Sequence, residues 1–112
     1  MGVITSDTDT YQMCITQCNR CFQACHECAT LCLKEPDVAE RLEFISMLME
    51  CAGICKEAVC FMVMQAKHTK ELCDLCAIIC DECSLSCSMF KDEHCIKCAE
   101  ECKKCANECK SM

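Results

Sequence analysis

The cysteines of this chain recur at a spacing that only one kind of secondary structure can use. In the stretch CITQCNRCFQACHECATLC, residues 14–32, the steps between successive cysteines are 4, 3, 4, 3 and 4 residues. At about 100° per residue on an α-helix, such positions fall within an arc of about 80°. On a β-strand they would scatter over both faces, because the steps mix odd and even numbers. The pattern therefore predicts a helix whose a and d seam is built from thiols.

Two later segments repeat this pattern, which makes chance spacing an unsatisfactory explanation. The third helical segment carries Cys73, Cys76, Cys80, Cys83 and Cys87, and the fourth carries Cys95, Cys98, Cys102, Cys105 and Cys109. Their steps again alternate between 3 and 4 residues, so each set occupies one helix face. We expect the three cysteine faces to point into one shared interior.

The second segment differs from the other three. Its first half has an ordinary apolar face, formed by Leu42, Phe44, Ile45, Leu48 and Met49. Only Cys51 and Cys55 continue the thiol seam there. Cys60 lies about 140° around a regular helix from Cys55, so it points away from the seam unless a bulge rewinds the turn.

These segments predict an all-α fold in a single domain, residues 1–112, with helices at about 10–34, 37–66, 69–90 and 92–110. Pro36 suits the first position of the second helix, while Thr69 and Asp92 suit the N-caps of the third and fourth. The connections are short, so neighbouring helices must run antiparallel. The expected architecture is an up-down-up-down four-helix bundle with a cysteine-lined core.

Composition and charge exclude several classes of protein. The net charge of −7 argues against nucleic acid or an anionic membrane surface as a partner. The apolar run AVCFMVM, residues 58–64, is too short to span a membrane. The sequence shows no secretory signal, and we therefore expect a cytosolic protein.

A disulfide scaffold is the usual explanation for a chain with 19 cysteines, and three features oppose it. The count is odd, and no export signal is visible. Neighbours three or four residues apart on a helix have Cβ atoms about 5–6 Å apart, whereas a disulfide needs about 3.5–4.5 Å. The helix seams therefore favour free thiols.

Massed thiolates bind soft metals, and the charge of a buried site helps to choose among them. Zinc held by four thiolates leaves a net charge of −2, which is unfavourable when repeated along a core. Cu(I) at one ion per thiolate leaves no net charge. The cysteine ligands of iron–sulfur clusters usually lie in loops that converge on one cluster, whereas cysteines in rows along helices do not converge. We therefore expect multiple Cu(I) ions, approaching one per cysteine.

The candidate metal ligands are all of the cysteines. Eight CxxxC pairs each offer a clamp for one ion, and the CxxC steps between pairs allow thiolates to bridge adjacent ions. The full set is Cys14, Cys18, Cys21, Cys25, Cys28, Cys32, Cys51, Cys55, Cys60, Cys73, Cys76, Cys80, Cys83, Cys87, Cys95, Cys98, Cys102, Cys105 and Cys109.

The first cysteine run, together with HTKELCDLCAIICDECSLSC and HCIKCAEECKKCANEC, resembles the bacterial copper storage proteins. The resemblance covers nearly the whole chain and is closer to the cytosolic branch of that family than to the exported one. It implies a four-helix bundle that stores or buffers Cu(I) without catalysing a reaction. It also implies homo-oligomers, often tetramers, of such bundles.

Two other functions are possible on the residues alone. A zinc or cadmium thiolate buffer, similar in role to a metallothionein, would load only about five divalent ions. A thiol-redox protein would cycle its CxxC pairs, but their helix geometry and poor access oppose it. No catalytic arrangement can be placed, so we expect no enzymatic activity.

Three histidines and a second apolar surface accompany the thiol seams. His26 should point outward, and His68 and His94 lie near opposite ends of the predicted bundle, where either could help ions to enter or leave.

Ile15, Phe22 and Ala29 form an apolar stripe beside the first cysteine seam, and Phe61, Val63 and Met64 crowd the end of the second helix. Part of this surface favours a homo-oligomer interface.

Overall fold

The cysteine periodicity correctly predicts an all-α bundle. A computed structural model describes residues 2–112 and contains four α-helices: α1 Gln12–Cys32, α2 Leu42–Met64, α3 Thr69–Cys87 and α4 Glu93–Lys110. Short 3₁₀ turns, Asp9–Tyr11 and Val38–Arg41, precede α1 and α2. No strand occurs within the described residues.

The four helices form a closed, elongated bundle of 47 × 23 × 17 Å. Helix α1 packs against α2 and α4, and α3 packs against the same two helices. The start of α1 meets the end of α4 at Cys14 and Cys109, and its other end meets the start of α4 at Cys28 and Cys95. These two helices are therefore antiparallel, as in an up-down-up-down bundle.

The second helix begins later than its sequence predicts. Pro36 lies in the turn after α1, and a 3₁₀ turn over Val38–Arg41 precedes the first α-helical residue, Leu42. The turn is held by Arg41, whose guanidinium bonds Asp37 behind it and Asp92 at the start of α4. Because one of those contacts is distant in sequence, the local pattern could not reveal it.

The predicted caps of α3 and α4 use their side chains for other contacts. Thr69 is the first residue of α3 rather than its N-cap, and its hydroxyl donates to the carbonyls of Ala66 and Phe61. Asp92 does occupy the N-cap position of α4, but its carboxylate pairs with Arg41 and makes no capping bond. Both side chains therefore join neighbouring elements.

The core-facing seam of α2 continues beyond its cysteines in both directions. At alternating steps of 3 and 4 it contains Arg41, Phe44, Leu48, Cys51, Cys55, Ala58 and Met62, all of them buried. Leu42 and Met49, which the sequence placed on the same apolar face, are 61% and 49% exposed. They lie beside the seam, so the buried apolar face of α2 is narrower than the sequence predicts.

The apolar stripe beside the first cysteine seam is largely covered within the monomer. Ile15 and Ala29 are buried, whereas Phe22 is half-buried beneath the ammonium group of Lys56. Val63 and Met64 at the end of α2 are 53% and 66% exposed. None of the helices in residues 2–112 combines the length and apolarity needed to cross a membrane.

Candidate metal centre

Every cysteine except Cys60 is buried, and all of the cysteines are free thiols. Helices α1, α3 and α4 contribute complete seams, as their spacing predicted, and α2 contributes Cys51 and Cys55. The bundle axis is therefore occupied by sulfur along most of its length. Cys60 faces solvent, in agreement with its angle on a regular helix.

The buried sulfurs form a continuous column. Successive Sγ atoms from different helices lie 3.5–4.0 Å apart along the path Cys14–Cys109–Cys18–Cys105–Cys55–Cys80–Cys51–Cys21–Cys102–Cys25–Cys98. A disulfide bond measures about 2.05 Å, so these are contacts between separate thiols. Each link crosses from one helix to another, and therefore metal ions placed between neighbouring sulfurs would join the helices.

Several sets of four thiols converge within the column. In each set the sulfur atoms all lie within 4.8 Å of one another, as in Cys18, Cys76, Cys105 and Cys109, and in Cys21, Cys55, Cys80 and Cys105. Thiol rows on packed helices therefore bring four sulfurs close together at several points. The sets share members, Cys105 among them, so they are not separate four-ligand cages. Shared sulfurs suit ions bridged by common thiolates.

A mixed group closes the column where α1 ends and α4 begins. It consists of Cys28, Cys32, His94 and Cys95, whose candidate ligand atoms lie within 4.8 Å of one another. The Nδ1 atom of His94 is 3.6 Å from the Sγ of both Cys28 and Cys95. Its Nε2 atom is buried, has no hydrogen-bond partner within residues 2–112, and lies 3.5 Å from a carboxylate oxygen of Glu35 and 3.8 Å from one of Asp92. The histidine is therefore placed to supply a nitrogen ligand here.

The sequence predicts that His94 lies near one end of the bundle, where it could help ions to enter or leave. The other histidines lie away from the thiols: His26 packs edge-on against Phe22, with ring centroids 4.7 Å apart, and the exposed His68 contacts Glu71 at 3.0 Å.

Arg41 was missed entirely by the sequence argument. It is 5% exposed, and its Nη1 atom lies 3.5 Å from the Sγ of Cys32 and 3.9 Å from that of Cys95. The same nitrogen donates to the carboxylate of Asp92, while Nε donates to Asp37 at 2.8 Å. The usable signal was the 3 and 4 spacing that runs back from Cys51 through Leu48 and Phe44 to Arg41.

Charges at this end of the column are compensated within the protein. The hydrogen bond from Arg41 holds the pKa of Asp92 below its ordinary value, and the reciprocal bond raises the pKa of Arg41. Burial, followed by the nearby Cys32, raises the pKa of the Cys95 thiol to about 12. The metal-free end therefore combines a neutral Cys95 thiol with a permanently charged guanidinium.

A groove between α1 and α4 approaches the same thiols from the side. It encloses about 410 Å³, and its lining includes Cys28 and Cys98 together with His94, Glu27, Glu93 and Glu101. Both cysteines are nearly covered, at 1% and 2% exposure. The groove is therefore a second approach to the end group, because Cys28 and His94 belong to both, and it reaches the thiols from a different side than Arg41.

A four-helix bundle with a continuous interior column of free thiols defines a protein that binds soft metal ions. The model of the family described as "Copper storage protein" matches residues 7–112, and this chain belongs to that family.

Comparisons with individual proteins agree with the family assignment. The chain is 40% identical over 84 residues to the uncharacterized cysteine-rich protein YhjQ of Bacillus subtilis, covering 75% of this chain and 78% of YhjQ. It resembles the structure of the Cu(I)-bound copper storage protein BsCsp3, with a TM-score of 0.88, 39% identity, and coverage of 91% of this chain and 96% of that one. It also resembles a cytosolic copper storage protein from Streptomyces lividans carrying five coppers, with a TM-score of 0.89, 33% identity, and coverage of 94% and 92%.

Proposed function

We propose that this protein is a cytosolic, non-enzymatic store that holds many Cu(I) ions in the core of one four-helix domain. The observation that carries the proposal is the continuous column of buried sulfurs spaced 3.5–4.0 Å apart. A sensor or a transfer protein needs only one or two ions. A column shared by all four helices supplies capacity instead.

The ligands in this proposal are the buried cysteines, with His94 added at the α1–α4 end. Cys60 is outside the set because it is exposed, although the sequence included it among the candidates. Each arriving Cu(I) displaces protons from neutral thiols and forms thiolate bonds. One ion per thiolate keeps the buried charge near zero, which the core requires because burying an unpaired charge is costly.

The relatives support copper as the cargo and the cytosol as the location. BsCsp3 is described as Cu(I)-bound, and the Streptomyces lividans protein is described as cytosolic and as loaded with five coppers or ten copper equivalents. These descriptions apply to those proteins. Their similarity to this chain, including its thiol column, is the reason for extending them.

An anaerobic titration of the fully reduced protein with Cu(I) tests the proposal. A competing Cu(I) chelator reports free metal, and total copper and thiol are assayed on the same sample. We expect tight uptake that approaches one ion per buried cysteine. Saturation after about five divalent ions, with zinc held better than Cu(I), would support the thiolate buffer instead.

We further propose that the bundle forms a homo-oligomer, with a tetramer as the expected state. Large apolar side chains remain uncovered on the helix surfaces; Val63 and Met64 on α2, and Leu75 and Ile78 on α3, are among those at least 46% exposed. Exposed apolar surface of this kind favours self-association. Sedimentation equilibrium of the reduced protein should give a mass above 12.6 kDa, the mass of one chain. A monomer at every concentration would contradict this proposal alone.

A further inference from the structure

At the end of the sulfur column a buried guanidinium, that of Arg41, contacts two of the sulfurs. The guanidinium of Arg41 lies against Cys32 and Cys95, with Nη1 3.5 Å and 3.9 Å from their sulfurs. Both cysteines belong to the group that also contains Cys28 and His94. An ion that leaves this group on the side of Cys32 and Cys95 therefore passes Arg41.

Arg41 is held in this position from several sides. Asp37 accepts from Nε at 2.8 Å, and Asp92 accepts from Nη1. The guanidinium carbon also lies 4.6 Å from the centroid of the Phe90 ring, which stacks on Phe44. The residue therefore joins the turn before α2 to the start of α4.

A guanidinium is suited to this position in a way that most side chains are not. It stays charged at all physiological pH values, and its planar fork can bond two carboxylates while still donating to a sulfur. A thiolate bound to metal keeps lone pairs that accept such a bond, so Arg41 can remain in place above a loaded site. Opening the end requires at least part of this bonded arrangement to break.

We propose that Arg41 controls the release of copper from the Cys28, Cys32, Cys95 and His94 group, by covering the end of the column and bonding two of its sulfurs. The inference rests on the proposed storage function. Copper release from this group is slowed by about tenfold or more, because hydrogen bonds of a charged, buried donor must break first. Removing the guanidinium should therefore speed release from this group and leave the rest of the column unaffected.

The test measures release from protein loaded anaerobically with Cu(I) after an excess of a Cu(I)-selective chelator is added. Wild type is compared with Arg41→Met, which keeps an apolar stem against Phe90 but lacks the charge and the donors. We expect a fast phase at least about tenfold quicker than in wild type. Its amplitude should match only the ions of the end group, with total capacity nearly unchanged.

Arg20→Met is the matched control. Arg20 also bonds a carboxylate across helices, donating from Nε and Nη2 to Glu101, but within residues 2–112 it has no hydrogen bond to a sulfur. Its release curve should follow wild type. Arg41→Lys retains the charge without the planar fork and should show an intermediate rate. If Arg41→Met does not fold, the lysine variant carries the test.

Three outcomes would contradict the inference in distinguishable ways. If Arg41→Met and Arg41→Lys release copper at the wild-type rate, Arg41 does not control release, and the groove between α1 and α4 becomes the better route. If Arg20→Met accelerates release as much as Arg41→Met, the effect is not specific to Arg41, and loosening of the bundle or opening of the groove that Arg20 lines explains it. If wild type binds no Cu(I), the storage function itself fails first.

Discussion

The Sγ atom of Cys105 on α4 lies 3.5 Å from that of Cys18 on α1 and 3.8 Å from that of Cys55 on α2. Cys105 also belongs to two different sets of converging thiols. It is therefore a junction at which sulfurs from separate helices meet. Losing one cysteine at such a junction should therefore reduce the number of bound metal ions more than losing one cysteine elsewhere.

Replacing a junction cysteine should lower copper capacity more than replacing the exposed one. Cys105→Ser removes a sulfur shared between sets, so we expect at least one bound Cu(I) to be lost and a neighbouring ion to be held more weakly. Cys60→Ser is the control, because Cys60 is exposed and outside the column. Its capacity should equal that of wild type in the anaerobic titration. Equal losses in both variants would contradict the assignment of the column as the storage site.

The metal-free, reduced protein should already be folded, because neutral thiols pack as small apolar groups. Its circular dichroism spectrum should be helical, and Leu48→Ala should lower the free energy of unfolding by about 2–5 kcal/mol. Leu48 is fully buried, whereas its neighbour Met49 is 49% exposed. Met49→Ala should therefore change stability by less than about 0.5 kcal/mol. A random-coil spectrum without metal would mean that copper drives folding, as zinc does in zinc fingers.

The sequence predicts most of the thiol core but little of what closes its end. The seams of α1, α3 and α4 follow directly from steps of 3 and 4, since helix periodicity is a local property. The roles of Arg41 and His94 depend on contacts between elements far apart in the chain, such as Arg41 with Asp92. Asp92 shows the same limit, because its position at the start of α4 was predictable and its partner was not. The local spacing of cysteines therefore identifies the metal-binding thiols better than it identifies the residues that cover the end of the column.

Copper uptake should release protons and weaken as pH falls. Burial raises the pKa of Cys95 to about 12, so this thiol is protonated near pH 7 in the folded, metal-free protein. Each such thiol must lose its proton to bind Cu(I). The apparent association constant for Cu(I) at that thiol should therefore fall about tenfold for each unit of pH decrease. A pH indicator in weakly buffered solution should register this proton release during copper uptake. Uptake without proton release would mean that the thiols are ionised before metal arrives.

The pairing of α1 with α4 at Glu101 should contribute stability that acid removes. Glu101 accepts hydrogen bonds from Arg20 and Gln17, and the bond from Arg20 is the main reason that its pKa is lowered. A carboxyl with a lowered folded-state pKa stabilises the protein above its unfolded value, about 4.3, and this contribution is lost as pH falls through the folded-state pKa. Since Arg20 is 62% exposed, solvent screening keeps the contribution small.

Glu101→Gln should therefore lower the free energy of unfolding of the reduced, metal-free protein by about 0.5–1 kcal/mol near pH 7. The difference from wild type should shrink once the pH falls below about 4, because protonation then removes the same charge from wild type. Urea unfolding followed by circular dichroism at both pH values measures it. Glu100→Gln, at an exposed neighbouring position, should match wild type throughout. A deficit in Glu101→Gln that stayed constant with pH would indicate lost packing rather than a lost ionic contact between the helices.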